Sequence, residues 1–332
     1  MIPRILDKAV RIKAGDGEVI LAAGLQGRIF AALDDELLHR LDVPLAEHPS
    51  DSFNNLGGNS LWPAPEGGDF AFNYPSDGGP WRVQDGINSV PSHMLPDGHG
   101  MIREITLENR KGVSASLLHS RIIGAPKYGF GGKYGVKELV YSACDSLELT
   151  RPLPVSDFLM SAWSLEQFDL TEGAFGFGTA KRSGKAVNSD FYGDPGSKIA
   201  WAGDTYTFRF GGSDRLQIGI SEKAEPGVIG AYIPEKDLAV VRRIVRADAG
   251  TRINFADNDQ KDGVYSADDQ YSIFYGPDAR FFEVESLAPV RIVNGLTTGS
   301  RMETETHFYR GDREKIKELL HQEFNINKEI WS

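Results

Sequence analysis

The chain has 332 residues and a formal charge of −11, and hydrophobic types make up 40% of it. A chain this long buries roughly three-quarters of its unfolded surface, so a large core forms without disulfide or metal staples. With no excess of Lys and Arg to neutralise phosphates, neither nucleic acid nor an anionic membrane surface is expected as a partner.

The N-terminus, MIPRILDKAVRIKAGDGEVILAAG, carries charges at Arg4, Asp7, Lys8, Arg11 and Lys13 with no apolar stretch behind them, so no signal peptide is expected. Gly17–Ala23 reads as a strand, and Ile29–Leu41 fits either a helix or a β-hairpin turning at Asp34-Asp35. The segment 54–96 is different in character, dense in Gly, Pro, Asn and aromatic residues. Its Leu61, Trp62, Phe70, Phe72, Tyr74 and Trp81 offer too much apolar surface for disorder. An ordered, aromatic-rich loop set over a sheet is where a ligand site is expected.

Val113–Ile123 is the next strand. Gly129–Gly135 is glycine-rich but lacks the spacing of a phosphate loop. Cys144 is the sole cysteine, which excludes an intrachain disulfide and a cysteine-rich zinc site and fits a reducing cytoplasm. A periplasmic location follows instead if a signal peptide has been removed. Asp157–Phe168, Thr205–Phe210, Arg215–Ser221, Val240–Arg246, Tyr271–Tyr275, Arg280–Ser286 and Arg301–Tyr309 read as further strands, and GAFGFG at 173–178 as a tightly packed strand end. The acids of 257–263 miss the calcium-loop spacing, so this segment reads as an exposed turn. One helix is expected after Asp312, with Ile316, Leu319, Leu320 and Phe324 on one face. No apolar run is long enough for a membrane span. Many short strands, evenly spread glycines and no linker predict an all-β fold, a large β-sandwich with a short C-terminal helix, as a single domain over 1–332.

Three segments, in order, resemble the aldose-1-epimerase or galactose mutarotase-like superfamily. They are Gly24–Val43 with its Gly27-Arg28-Ile29, the Gly57-Gly58-Asn59-Ser60-Leu61-Trp62-Pro63 turn, and Arg280–Pro289 with paired glutamates, followed by the closing strand at Gly299–Arg310. The resemblance implies the supersandwich fold, a hairpin at Ile29–Leu41, and a late strand that supplies a general base. The paired-histidine pattern of authentic galactose mutarotases is absent, which separates the fold implication from mutarotation itself.

Anomer interconversion needs a base for the anomeric hydroxyl and an acid for the ring oxygen. Glu283 and Glu285 alternate with Phe282 and Val284 and so share one strand face; Glu285 is the first choice for the base, and His119, from a strand, for the acid. The bland alternative places both glutamates on a solvated sheet face and His119 in a structural role. Trp62, Trp81 and Trp163 are candidate stacking platforms, with the alternative of core or loop-anchoring roles. Asn59, Glu66, Arg82, Asp85 and Gln167 are candidate hydroxyl partners, and Trp163, Leu165 and Gln167 share a face. Lys223 and Arg103 enter if the ligand is anionic. The expected partner is a carbohydrate or other small polyol, with no cofactor and no metal. A non-catalytic sugar-binding module and a glycoside hydrolase or lyase using paired carboxylates are the alternatives.

Overall fold

The computed structural model describes residues 2–124 and 129–331. Period-two burial is clearest in Ser114–Gly124, where Ala115, Leu117, His119, Arg121 and Ile123 turn inward while Leu118 and Ile122 stay exposed. The described strands assemble into two antiparallel sheets. In the first, the spatial order is Val10–Ala14, Gly17–Ala22, Arg28–Leu33, Asn59–Ala64, Ser161–Asp169, Phe281–Leu287, Asp269–Gly276, Leu216–Ser221 and Val187–Asn188. In the second it is Ile199–Ala202, Thr205–Arg209, Phe175–Thr179, Ile229–Ile233, Leu238–Ala247, Leu296–Arg310, Lys137–Pro154, Ser114–Gly124, Gly100–Glu108 and His93–Met94. The architecture is the all-β sandwich that the short strands and turn residues predict.

Local expectations hold where a side chain or a dihedral dictates them. Leu33 pairs with Glu36 across Asp34 and Asp35, both at positive φ (54° and 58°), which closes Ile29–Leu41 as a hairpin with a turn of the type that favours Asp. The C-terminal helix Arg313–Phe324 starts at Asp312, whose carboxylate accepts from the Glu314 and Lys315 N–H groups. It buries Ile316, Leu319, Leu320 and Phe324 on the outer side of the second sheet. In Phe175–Thr179, a Cβ on Gly178 would stand 2.4 Å from the Tyr206 hydroxyl, so close packing requires glycine there. The backbone N–H groups of Phe130 and Gly131 are taken by the Glu138 carboxylate (3.0 Å each), which leaves them unable to cradle a phosphate. Among the described residues no helix is long and apolar enough to cross a membrane.

Between the sheets the apolar core is interrupted by a chain of buried polar groups. From the second sheet, Arg121 forms a two-pronged pair with Asp145 (2.8 and 3.0 Å) and reaches across to the Asn59 carbonyl (2.6 Å). Glu166, on the first sheet, accepts from Asn59 (2.9 Å), the Tyr141 hydroxyl (2.8 Å) and the Thr306 hydroxyl (2.7 Å). Burial would raise the Glu166 carboxyl, but Arg242, His39 and the Thr306 bond outweigh it and bring it to about 2. Arg242 donates in turn to Ser164 (2.6 Å) and Thr304 (3.2 Å).

Removing one member of such a pair leaves the other charge buried and uncompensated. Arg121→Leu is therefore expected to cost about 3–5 kcal/mol in urea unfolding. Lys137→Ala, which breaks an exposed pair with Asp34, is expected to cost under about 1 kcal/mol. Equal costs would show that Arg121, paired with Asp145 on its own sheet and bonded across to Asn59, does not join the layers.

Candidate functional site

The network just described sets which residues face outward. Ser164 and Glu166 point into the inter-sheet layer, so Trp163, Leu165 and Gln167 on the same strand must point away from it. In register, Leu165 lies opposite Glu285 and Gln167 opposite Glu283, and Trp163 lies opposite Trp62. On the far side Glu285 lies opposite Ser272 and Glu283 opposite Phe274, which in turn faces Gln217. Trp62, Trp163, Gln167, Glu283, Glu285, Ser272 and Gln217 thus share the outward face of the first sheet. All are buried, because loops cover them.

Four loops make that cover. Phe53 packs edge-on against Trp62 and Trp81 (centroids 5.5 and 5.8 Å). Phe255 meets Trp163 at 5.1 Å, and Phe191 lies over Phe255 at 5.0 Å. Asp257 accepts from the Tyr74 hydroxyl (2.6 Å) and the Tyr192 hydroxyl (2.9 Å), tying segments near 74, 192 and 257 together. Asp257 is therefore part of the roof, in place of the exposed turn expected from its spacing. The segment 54–96 also divides: Asn59–Ala64 is itself a strand, and residues near 66–74 join the roof. Residues 85–94 turn to the second sheet, where Arg103 donates to the Val90 carbonyl (2.6 Å) and His93 pairs with Ile102.

The carboxyl groups on this face sit in two distinct settings. Glu283 accepts from Gln167 (2.7 Å), and Gln167 is held by Asn55 (2.8 Å) and Arg40 (3.2 Å). Desolvation pushes the Glu283 carboxyl to about 7 against the pull of Gln167, Arg28, Arg215 and Arg40. Glu285 accepts from Trp163 Nε1 (3.1 Å) and Gln217 Nε2 (3.2 Å). Burial, then the neighbouring Glu283, pushes it well above the ordinary carboxylate range. Glu66 at the edge is raised to about 8 by burial and by Asp257 and Glu283. Near it, the Arg215 guanidinium stacks on Tyr192 (3.9 Å) and Phe274 (4.9 Å).

Several residues singled out in the sequence lie elsewhere. Asn59 faces the inter-sheet layer, donating to Tyr141 and Glu166 (3.0 and 2.9 Å), and so differs from a hydroxyl partner on the outward face. His119 belongs to the second sheet and points between the layers, with Nε2 at 3.2 Å from the Leu61 carbonyl. Burial beside Arg103 and Arg121 lowers its pKa well below the histidine norm, which keeps the ring neutral and unsuited to donating a proton. Among the described residues no histidine forms a hydrogen bond or ion pair with Glu283 or Glu285. Trp81 and Arg82 lie exposed at the rim of the roof, and Asp85 is exposed where the chain turns to the second sheet. Lys223 pairs with Asp268 (2.8 Å) at the surface. Gln217, Ser272, Asn55, Arg40 and Arg215 belong to the site without having been singled out in the sequence. Gln217 carried a usable signal, since Arg215–Ser221 alternates and places Arg215, Gln217 and Gly219 on one face. Among the described residues no cluster of His, Cys, Asp and Glu is arranged to hold a metal ion.

Raised carboxyls tie stability to pH with a definite sign. Between the unfolded value of about 4.5 and the folded values of about 7 and 8, the native state holds more protons than the unfolded chain. Stability conferred by the protonated groups is therefore present below about pH 4.5 and lost as pH rises through 7 to 8. Glu283→Gln should raise the melting temperature at pH 8.5, by an amount equivalent to a few kcal/mol at most (about 1.4 kcal/mol per pKa unit), and have little effect at pH 4.5. A variant that melts lower at pH 8.5 would contradict this.

No family model matches the chain, and no curated protein matches it. Among solved structures it is similar to a "Putative aldose 1-epimerase" from Escherichia coli K12, at 12% identity and a TM-score of 0.43, over 91% of this chain and 98% of that one. It is likewise similar to a galactose mutarotase-like protein from Clostridium acetobutylicum, at 8% identity and a TM-score of 0.44, over 91% and 95%. A third similarity, to 4-alpha-glucanotransferase from Thermococcus litoralis, has 9% identity and a TM-score of 0.34, and covers 91% of this chain and 37% of that one.

Proposed function

We propose that the outward face of the first sheet binds a carbohydrate or similar small polyol, and that Glu283 and Glu285 exchange protons with it at its anomeric centre. The observation that carries this reading is the glutamate pair itself. The two carboxyls are adjacent on one strand face, walled by tryptophans, and Glu285 Oε1 is buried without any hydrogen-bond partner in the protein. A buried acceptor or donor left unmatched costs about 1–3 kcal/mol unless something else satisfies it. A ligand hydroxyl or ether oxygen would do so. Indole walls suit the C–H faces of a sugar ring, while Gln167, Asn55 and Arg40 supply amide and guanidinium groups for hydroxyls.

Acid–base work at neutral pH needs groups that titrate near it. Burial brings Glu283 to about 7, and burial with the neighbouring Glu283 raises Glu285 well above the carboxylate range, so raised carboxyls are present without a histidine. A non-catalytic binding module is the second reading, favoured by the closeness of the roof, where Phe53, Phe191 and Phe255 lie over the indoles. The two readings separate in one experiment. Exchange between α and β anomers of unlabelled aldohexoses is followed by NMR, with saturable binding measured on the same sugars. Catalysis predicts accelerated exchange that falls at least about 100-fold in Glu283→Gln. Full turnover in both Glu283→Gln and Glu285→Gln would exclude the pair as the catalytic groups. Saturable binding with an unchanged exchange rate would establish the second reading, and no binding of any aldose would refute both.

A further inference from the structure

The two glutamates differ in how their individual oxygens are engaged, and this assigns them different tasks. Trp163 Nε1 and Gln217 Nε2 both donate to the same oxygen of Glu285, Oε2, at 3.1 and 3.2 Å. The other oxygen, Oε1, is buried and has no hydrogen-bond partner. In a carboxylic acid the carbonyl oxygen is the good acceptor and the hydroxyl oxygen is the donor. Two N–H groups converging on Oε2 mark it as the carbonyl oxygen, and leave Oε1 to carry the hydrogen. The Ser272 hydroxyl and Trp163 are neutral donors whose bonds favour the anion, but burial and the charged neighbours Glu283 and Glu66 outweigh them. Glu283, in contrast, has Arg28, Arg40 and Arg215 in electrostatic reach, which favour its anionic form.

We infer that Glu285 is a fixed proton donor with its acidic hydrogen held on Oε1, that Glu283 is the matching acceptor, and that Trp163 and Gln217 are the positioning residues that select the donor oxygen. This deepens the sugar-site reading and rests on it. It also reverses the order expected from the sequence, in which Glu285 is the first choice for the base. The pair follows the general pattern in which unlike surroundings drive two neighbouring carboxyls apart in role.

The ligand chemistry follows from the donor. Oε1–H requires an oxygen that accepts, and the ring oxygen of a cyclic hemiacetal, which carries no hydrogen of its own, meets that need. In the step, the proton leaves Glu285 Oε1 for the ring oxygen as the bond between the anomeric carbon and the ring oxygen breaks, its electron pair passing to that oxygen. Glu283 takes the proton of the anomeric hydroxyl, and the O–H electron pair becomes the second bond of the aldehyde carbonyl. Closure on the opposite face returns both protons. The site is thereby specific for a reducing sugar with a free anomeric hydroxyl; an alkyl glycoside offers Glu283 no proton to take.

The test is made first on the protein without sugar. Difference infrared spectra with carboxyl-13C glutamate read the C=O stretch of a protonated Glu285, identified by its loss in Glu285→Gln. A carbonyl oxygen accepting two N–H bonds gives a stretch displaced to low frequency. Trp163→Phe keeps a ring against Phe255 and removes only the N–H, and Gln217→Leu removes the second donor. Each is expected to move the stretch upward and to strengthen proton binding at Glu285 by roughly tenfold, since each lost bond had favoured the charged form. A Glu285 carboxyl that is ionised at pH 7 in the wild-type protein would overturn the assignment, as would a stretch unmoved by both substitutions. The second arm compares glucose with methyl glucoside as inhibitors of anomer exchange: the assignment expects glucose to compete and the glucoside to compete far more weakly, and equal inhibition would overturn the claimed specificity. Failure of sugar binding leaves the infrared result standing and refutes only the sugar-site reading, whereas an ordinary, ionised Glu285 refutes the proton assignment while sugar binding stands.

Discussion

The arrangement of the outward face depends on one buried ion-pair layer facing the other way. Glu166 sits among Arg242, Asn59, Tyr141 and Thr306 between the sheets, and these partners all lie on that side of its strand. Because side chains alternate along a strand, fixing Glu166 inward fixes Gln167 and Trp163 outward, and a slip by one residue would bury Gln167 against the second sheet and expel a paired carboxylate. Such a slip would strand the buried Arg242 without its carboxylate, a penalty that exceeds what burying one further apolar side chain returns. The same layer ties the second sheet to the first through Arg121 and Asn59, so the strand next to Ser161–Asp169 is held in register from the opposite side.

With the register set, the two glutamates acquire their properties from position alone. Glu166, Glu283 and Glu285 are chemically equivalent side chains, all buried, yet the first is held to about 2 and the others are driven upward. Desolvation acts on all three. What differs is whether a guanidinium and several hydroxyl donors meet the carboxylate directly, as at Glu166, or whether the nearest charges include another carboxylate, as at Glu285. The outward face leaves Glu283 and Glu285 under-compensated, as the fold also leaves the buried Asp269, raised to about 7.

The roof shows how far a local reading carries. The aromatic content of the segment after residue 54 points correctly to order and to proximity to a sheet, and Trp62 does lie opposite Trp163. It says nothing about Phe255, Phe191, Tyr192 and Asp257, which come from loops more than a hundred residues away in sequence and complete the cover. Asp257 in particular reads as part of a solvated turn because its neighbours are Asn258, Asp259 and Lys261; its two tyrosine partners are visible only when the chain is folded.

What the sequence by itself determined is what depends on neighbours along the chain. Alternation, turn residues and the cap at Asp312 define strands, the Asp34-Asp35 hairpin and the C-terminal helix, because dihedral preference and side-chain period are local quantities. The shared face of Glu283 and Glu285, and that of Trp163 and Gln167, were legible for the same reason. Which of the two faces of each strand is outward, and which strands are neighbours, only the tertiary structure decided. His119 and Asn59 alternate as regularly as Glu283 does, yet they point between the sheets, because Arg121, Glu166 and the Leu61 carbonyl wait for them there. Burial, pKa and the identity of a hydrogen-bond partner are properties of groups brought together from distant parts of the chain, and no spacing in the sequence encodes them.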